Sequence, residues 1–186
     1  MLSVRPAAVA GMFYPGNPGA LSEEIDELLG AVASFEPKLG FPKALIVPHA
    51  GYVYSGPTAA HAYDELAAAR GTVRRVVLLG PAHRVALRGL AVPSAEAFET
   101  PFGRVALDRD ALRALEGLPQ VTTNDAAHEL EHSLEVQLPF LQKALGSFVL
   151  VPLAVGAASV AEVAAVLDLL WGGRETLVVV STDLSH

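Results

Sequence analysis

Cysteine is absent from this 186-residue chain. Disulfides and cysteine-rich zinc sites are therefore excluded within it, and the absence fits the cytosol, where disulfides are rare. Positive charge is scarce as well: 13 Lys and Arg stand against 20 Asp and Glu, a formal net charge of −7. With no basic stripe, nucleic acid is not an expected partner. Long apolar runs are missing too. The longest are of strand length, so no membrane span is expected. The start, Met1-Leu2-Ser3-Val4-Arg5-Pro6, lacks the basic head and apolar run of a signal peptide. A cytoplasmic location is the expectation.

What is present is apolar. Hydrophobic residues make up 52% of the chain and mean hydropathy is +0.40. That suffices for one domain with a sizeable core over residues 1–186. Part of the value is alanine; apolar surface used for homo-oligomerisation is another source.

The pattern along the chain alternates. A Gly- and Pro-rich arm (1–19) reads as irregular, followed by a helix from a Ser22 cap to about Val32. "KALIVP" reads as a strand, then a helix with Pro57 as its first residue runs to about Ala69. "RRVVLLG" and the shorter "GLAVP" are further strands, and Asp108 starts a short helix ending near Gly117. A helix over about 126–145 carries Pro139 as a kink or break. "FVLVPLAV", a helix from Ser159 through Trp171, and "TLVVVSTD" complete the series. "FETPFGRVALD" (98–108) reads as hairpin-like, with Thr100 and Phe102 able to wall a pocket. Strands apolar on both faces, alternating with helices, give an α/β fold: a mostly parallel central sheet flanked by helices on both faces. The sequence stops at His186, directly after a strand. A central parallel strand normally continues into a covering helix, so a C-terminal part of the fold is expected to be missing.

Three strong strands run into histidine. "ALIVPHAGY" delivers His49, "VVLLGPAHR" delivers His83, and "LVVVSTDLSH" delivers Asp183 and His186. Ligands bind outside the carboxyl ends of parallel strands, so these groups converge if the strands are parallel. Two neutral imidazoles and an anion make a facial site with open positions, suited to Fe(II) and oxygen chemistry. A further histidine can move protons near neutral pH. Tyr52 and Tyr54 either face this pocket or pack.

A literal H-E-x-x-H occupies residues 128–132, which on one helix would bind zinc with Glu129 as general base. No third ligand follows at compact spacing, so a zinc peptidase is the weaker reading. His132 and Glu135 are helical neighbours. They line the same pocket, as outer partners orienting ligands or as substrate contacts, unless they form only the polar face of a helix. His61 reads as structural or surface, and His128 as surface.

Six segments occur together and in order: "VRPAAVAGMFYPGNP", "VPHAGYVYSGPTAAHAY", "LLGPAHR", "FETPFG", "EHSLEVQLPFLQ" and "STDLSH". In this the chain resembles the Memo family, also described as AmmeMemoRadiSam system protein B. The resemblance covers essentially the whole chain. It implies a fold similar to class III extradiol dioxygenases (LigB-like). It implies metal-site histidines at His49 and His83, with Asp183 and His186 in the S-T-D-x-x-H segment and His186 as acid/base. It also places Glu131, His132, Ser133 and Glu135 in a family segment. Iron, foremost Fe(II), or copper is the implied metal. A small aromatic or diphenolic molecule, or a phosphopeptide, is the implied partner. The family's third metal residue is a cysteine beyond the D-x-x-H segment, and this sequence has none.

Two functions stay open on these grounds. One is a dioxygenase-like oxidoreductase using Fe(II). The other is a non-catalytic binding or scaffold module that grips a phenol, phosphopeptide or small anion with the same pocket.

Overall fold

The computed structural model describes residues 3–32 and 40–184. The arm read as irregular holds a two-residue strand, β1 (Val4–Arg5). Helix α1 (Pro18–Gly30) begins before Ser22 because Asn17 caps it, accepting from the Gly19 and Ala20 N–H groups at 2.9 and 3.1 Å. Pro18 then takes the first turn, where its missing N–H costs nothing. Strand β2 (Ala44–Val47) follows. Helix α2 (Tyr52–Asp64) also starts earlier than Pro57 suggests. The Tyr52 N–H donates to the Phe13 carbonyl at 2.7 Å and Gly51 occupies the cap position. Pro57 thus sits inside the helix, where it cannot donate to the Val53 carbonyl one turn back.

Strands β3 (Arg75–Pro81) and β4 (Leu90–Val92) precede the expected hairpin, β5 (Ala97–Thr100) and β6 (Gly103–Ala106). Asp108 caps α3 (Arg109–Ala114), accepting from the Ala111 N–H at 3.0 Å, and a short strand β7 (Val121–Thr123) comes next. The 126–145 stretch is three helices, not one: α4 (Ala126–Glu129), α5 (His132–Glu135) and α6 (Leu138–Leu145). Glu131 makes the first break. Its backbone is extended and its carboxylate caps α5, accepting from the Ser133 N–H at 2.9 Å. Pro139 falls in the first turn of α6, so it starts a helix rather than kinking one. Strand β8 (Val149–Val155), the Ser159/Glu162-boxed helix α7 (Val160–Leu170) and strand β9 (Thr176–Ser181) end the described chain.

The main sheet has the order β2-β9-β3-β8-β4-β7. The first four strands are mutually parallel; β4 runs antiparallel to β8 and parallel to β7. A small second sheet, β1-β5-β6, ties the N-terminal arm to the hairpin. The fold is therefore α/β with a six-stranded, mostly parallel sheet flanked by helices. Helices α1, α2 and α6 pack together, with α2 against β2 and α5 against β3 and β8. On the other face, Val163 and Leu167 of α7 share an apolar cavity of about 390 Å³ with Leu79 and Val180.

Two details of this arrangement position the site. Strand β9 lies between β2 and β3, so the loops after all three open on one edge. Gly80 lets α5 approach the end of β3: a Cβ there would lie 2.7 Å from Ser133 Oγ.

Candidate metal centre

The loops after β2 and β3 bring His49 and His83 together, with ring centroids 5.2 Å apart. His132, at the start of α5, completes the group. Its ring stacks on His83 at 4.7 Å and meets His49 edge-on at 5.5 Å. One ligand nitrogen from each ring lies within 4.8 Å of the others. Nitrogens sharing an ion at about 2.1 Å stand roughly 3 to 3.5 Å apart, so side-chain adjustments of about an ångström would close the set on a metal. His49 is buried, His132 is 16% exposed and His83 is 27% exposed, so the cluster is open on one side.

Two of the three rings are held from behind. The buried Glu131 carboxylate accepts from His83 Nδ1 at 2.9 Å and from the His83 backbone N–H at 2.6 Å. Burial pushes the Glu131 carboxyl up, but the hydrogen bonds from the His83 ring and backbone and from Ser133 outweigh it and hold it below its ordinary range. It stays ionised, so His83 Nδ1 carries a proton and Nε2 is the ring nitrogen with the lone pair. His49 Nδ1 lies 3.1 Å from the Ser181 hydroxyl. His132 Nδ1 is buried, has no hydrogen-bond partner and sits 3.4 Å from Glu131 Oε1. Burial lowers the His132 pKa, with His83 and Arg84 adding to the shift against the pull of Glu131 and Asp183. A neutral imidazole is the form that binds a metal. The donor set fits a borderline cation: three imidazoles, no thiolate, and a carboxylate close by.

Asp183 is that carboxylate. It accepts from the His49 backbone N–H at 2.8 Å, and its other oxygen is 3.6 Å from His49 Nε2. His186 lies outside the described residues. Glu135 does not share the pocket with His132. It is fully buried and accepts from the Ala8 and Val9 N–H groups at 2.8 and 3.0 Å, from the Tyr14 hydroxyl at 2.6 Å, and from the Arg5 guanidinium. Tyr52 is buried between Tyr14 and Phe140 and donates to the Val136 carbonyl at 2.8 Å, whereas Tyr54 is 82% exposed. Thr100 braces the hairpin turn and Gln142 instead of walling the histidines.

The H-E-x-x-H run loses its helical logic. His128 and His132 belong to different helices, and His128 Nε2 is 3.0 Å from the Ala91 carbonyl. Among the described residues the metal-capable group contains His132 but neither His128 nor Glu129.

Two contributors had no role in the sequence reading. Phe13 packs against His132, centroids 4.8 Å apart, and forms a wall of the site. Gln137 donates to the Pro48 carbonyl and to Ser181 Oγ, both at 2.8 Å. The only available signal was their presence in the motif segments "GMFYPG" and "EVQLPF".

The family model for Memo-like proteins matches residues 5–186. A MEMO1 family protein of Aquifex aeolicus is 40% identical over 191 residues, covering 100% of this chain and 68% of the relative. One from Thermotoga neapolitana is 38% identical, covering 98% of this chain and 70% of the relative. The Protein memo-1 homolog of Caenorhabditis elegans is 38% identical over 157 residues, covering 82% of this chain and 43% of the relative.

Proposed function

This chain belongs to the Memo-like protein family, and from that premise we propose that His49, His83 and His132 hold a single metal ion in a non-haem oxidoreductase centre. The observation that carries the proposal is the three-histidine group, with ligand atoms within 4.8 Å of one another. Fe(II) is the first candidate and copper the second, because imidazoles beside a carboxylate suit both. When bound, the metal would supply Lewis acidity and redox chemistry toward oxygen and an aromatic diol.

The chain's own residues do the rest. Glu131 holds His83 with its Nδ1 proton directed at the buried carboxylate. Phe13 and the ring of His132 give an apolar surface suited to a flat aromatic substrate. Asp183, 26% exposed beside His49, is placed to assist proton transfer, and His186 is the proposed acid/base that takes the phenolic proton. The edge of the site nearest His83 is the most exposed and serves as the entry.

The test is metal content by mass spectrometry after anaerobic purification, wild type beside His49→Ala/His83→Ala. Near-stoichiometric iron or copper, lost in the double variant, is expected, followed by oxygen uptake with catechols. Metal-free wild-type protein that takes up no added iron or copper would overturn the reading. It would leave a binding module that grips an aromatic or anionic group with the same histidines.

A further inference from the structure

We propose that Ser181 is a positioning residue: locked by Gln137 and the Ser133 carbonyl, it fixes the tautomer of His49 and leaves Nε2 as the ring's lone-pair donor. The inference rests on the metal-site reading above. Ser181 is the last residue of β9, the strand between β2 and β3, and is 1% exposed. Its hydroxyl has three neighbours: the Ser133 carbonyl at 2.6 Å, Gln137 Nε2 at 2.8 Å and His49 Nδ1 at 3.1 Å.

A hydroxyl carries one proton. A carbonyl can only accept, so at 2.6 Å that proton belongs to the Ser133 carbonyl. The orientation of the Gln137 amide is equally constrained. Its nitrogen lies 2.8 Å from the Pro48 carbonyl, another pure acceptor, and its oxygen accepts from the Tyr63 hydroxyl at 2.8 Å. The amide therefore donates to Ser181 Oγ. What remains on Oγ is lone-pair density, so His49 Nδ1 must be the donor. In the neutral ring the proton is on Nδ1 and the lone pair is on Nε2.

Asp183 competes for the opposite tautomer, since a proton on Nε2 would face its carboxylate. That separation is 3.6 Å, too long for a hydrogen bond, and its other oxygen is engaged by the His49 backbone N–H at 2.8 Å. The Ser181 contact wins on geometry. Gln137 adds a second constraint: by holding the Pro48 carbonyl it also fixes the backbone that carries His49. Ser181, Gln137 and Tyr63 are each 1% exposed, so water does not offer substitutes for these bonds. The two flanking ligands are thus held differently, His83 by an anion and His49 by a neutral hydroxyl.

The experiment is nitrogen-15 NMR of the histidine rings in the metal-free full chain at mildly alkaline pH, with a cobalt(II) titration in parallel. Wild-type His49 is expected to show a protonated Nδ1 and an unprotonated Nε2. Ser181→Ala should lose that single-tautomer signature and bind cobalt about 10- to 100-fold more weakly. Ser181→Thr, which keeps the hydroxyl, should restore both. A wild-type His49 protonated on Nε2 overturns the proposal even if no variant folds. So does Ser181→Ala with unchanged tautomer and affinity. The expected tautomer, lost in Ser181→Ala, in a wild type that takes up no cobalt would sink the metal reading while upholding the Ser181 assignment.

Discussion

Glu131 and His83 are joined twice: one carboxylate accepts the ring Nδ1–H at 2.9 Å and the backbone N–H of the same residue at 2.6 Å. The two hydrogen bonds set both where the loop after β3 sits and which ring nitrogen is left unprotonated. A carboxylate behind a ligand histidine also raises its basicity. Glu131→Gln keeps the shape but removes the charge. Its affinity for cobalt(II) or zinc(II) should fall about 10- to 100-fold, measured by chelator competition. Unchanged affinity would show that His83 is not a ligand or that Glu131 does not orient it.

Gly80 controls the third histidine from a distance. A methyl there would meet Ser133 Oγ at 2.7 Å, Leu134 Cδ2 at 3.0 Å and Ser133 Cβ at 3.1 Å. Helix α5 must then move off the sheet, taking His132 and the cap Glu131 with it. Gly80→Ala should cost about 1–3 kcal/mol in denaturant unfolding, as overpacking does, and should weaken metal binding. Gly30→Ala is the control, because nothing lies within 4 Å of a Cβ there. Equal behaviour of the two variants would contradict this account.

The parts of the site that could be read in the sequence are those fixed by strand ends. Apolar runs ending in Pro48-His49 and Ala82-His83 mark the edge of a parallel sheet, and the sheet order places them on either side of β9. His132 was legible only as a neighbour of the pocket, since a continuous 126–145 helix would pair it with Glu135. The observed break at Glu131 instead parts His132 from His128, while Glu135 stays on α5 with His132 and is claimed by the N-terminal arm. That break comes from a side chain capping its own next turn while holding His83, a long-range bond that local propensity does not encode. The early starts of α1 and α2 have the same kind of cause: an Asn17 cap, and a bond from Tyr52 to Phe13 in the arm.

Glu135 is the anchor of the N-terminal arm. Its carboxylate accepts two backbone N–H groups, the Tyr14 hydroxyl and the Arg5 guanidinium, while Arg5 also reaches the His128 and Glu131 carbonyls at 2.9 and 2.8 Å. Both side chains are buried, so losing one leaves the other charge without its partner. Glu135→Leu should lower unfolding stability by about 3–5 kcal/mol in urea titrations. Retained stability would mean the arm is held mainly by its apolar contacts.

His128 gives the fold an acid sensitivity whose sign is determined. Burial comes first among the causes that bring its pKa down to about 4; the Ala91 carbonyl opposes this, the Arg5 charge reinforces it, and Asp125 and Glu131 oppose it weakly. Its Nδ1 is buried without a hydrogen-bond partner, so a proton added there would meet no acceptor. In the unfolded chain the ring titrates near about 6.5. Between these values the unfolded state holds the extra proton, so stability rises with pH. The contribution is complete above about 6.5 and is lost as pH falls toward about 4, a difference of about 3 kcal/mol. His128→Gln keeps an N–H for the Ala91 carbonyl but cannot titrate. Urea midpoints measured across this window should fall more steeply for the wild type than for His128→Gln. Parallel curves would remove His128 as the acid-sensitive group and shift attention to carboxylates held below their ordinary range, such as Asp108 beside Arg75.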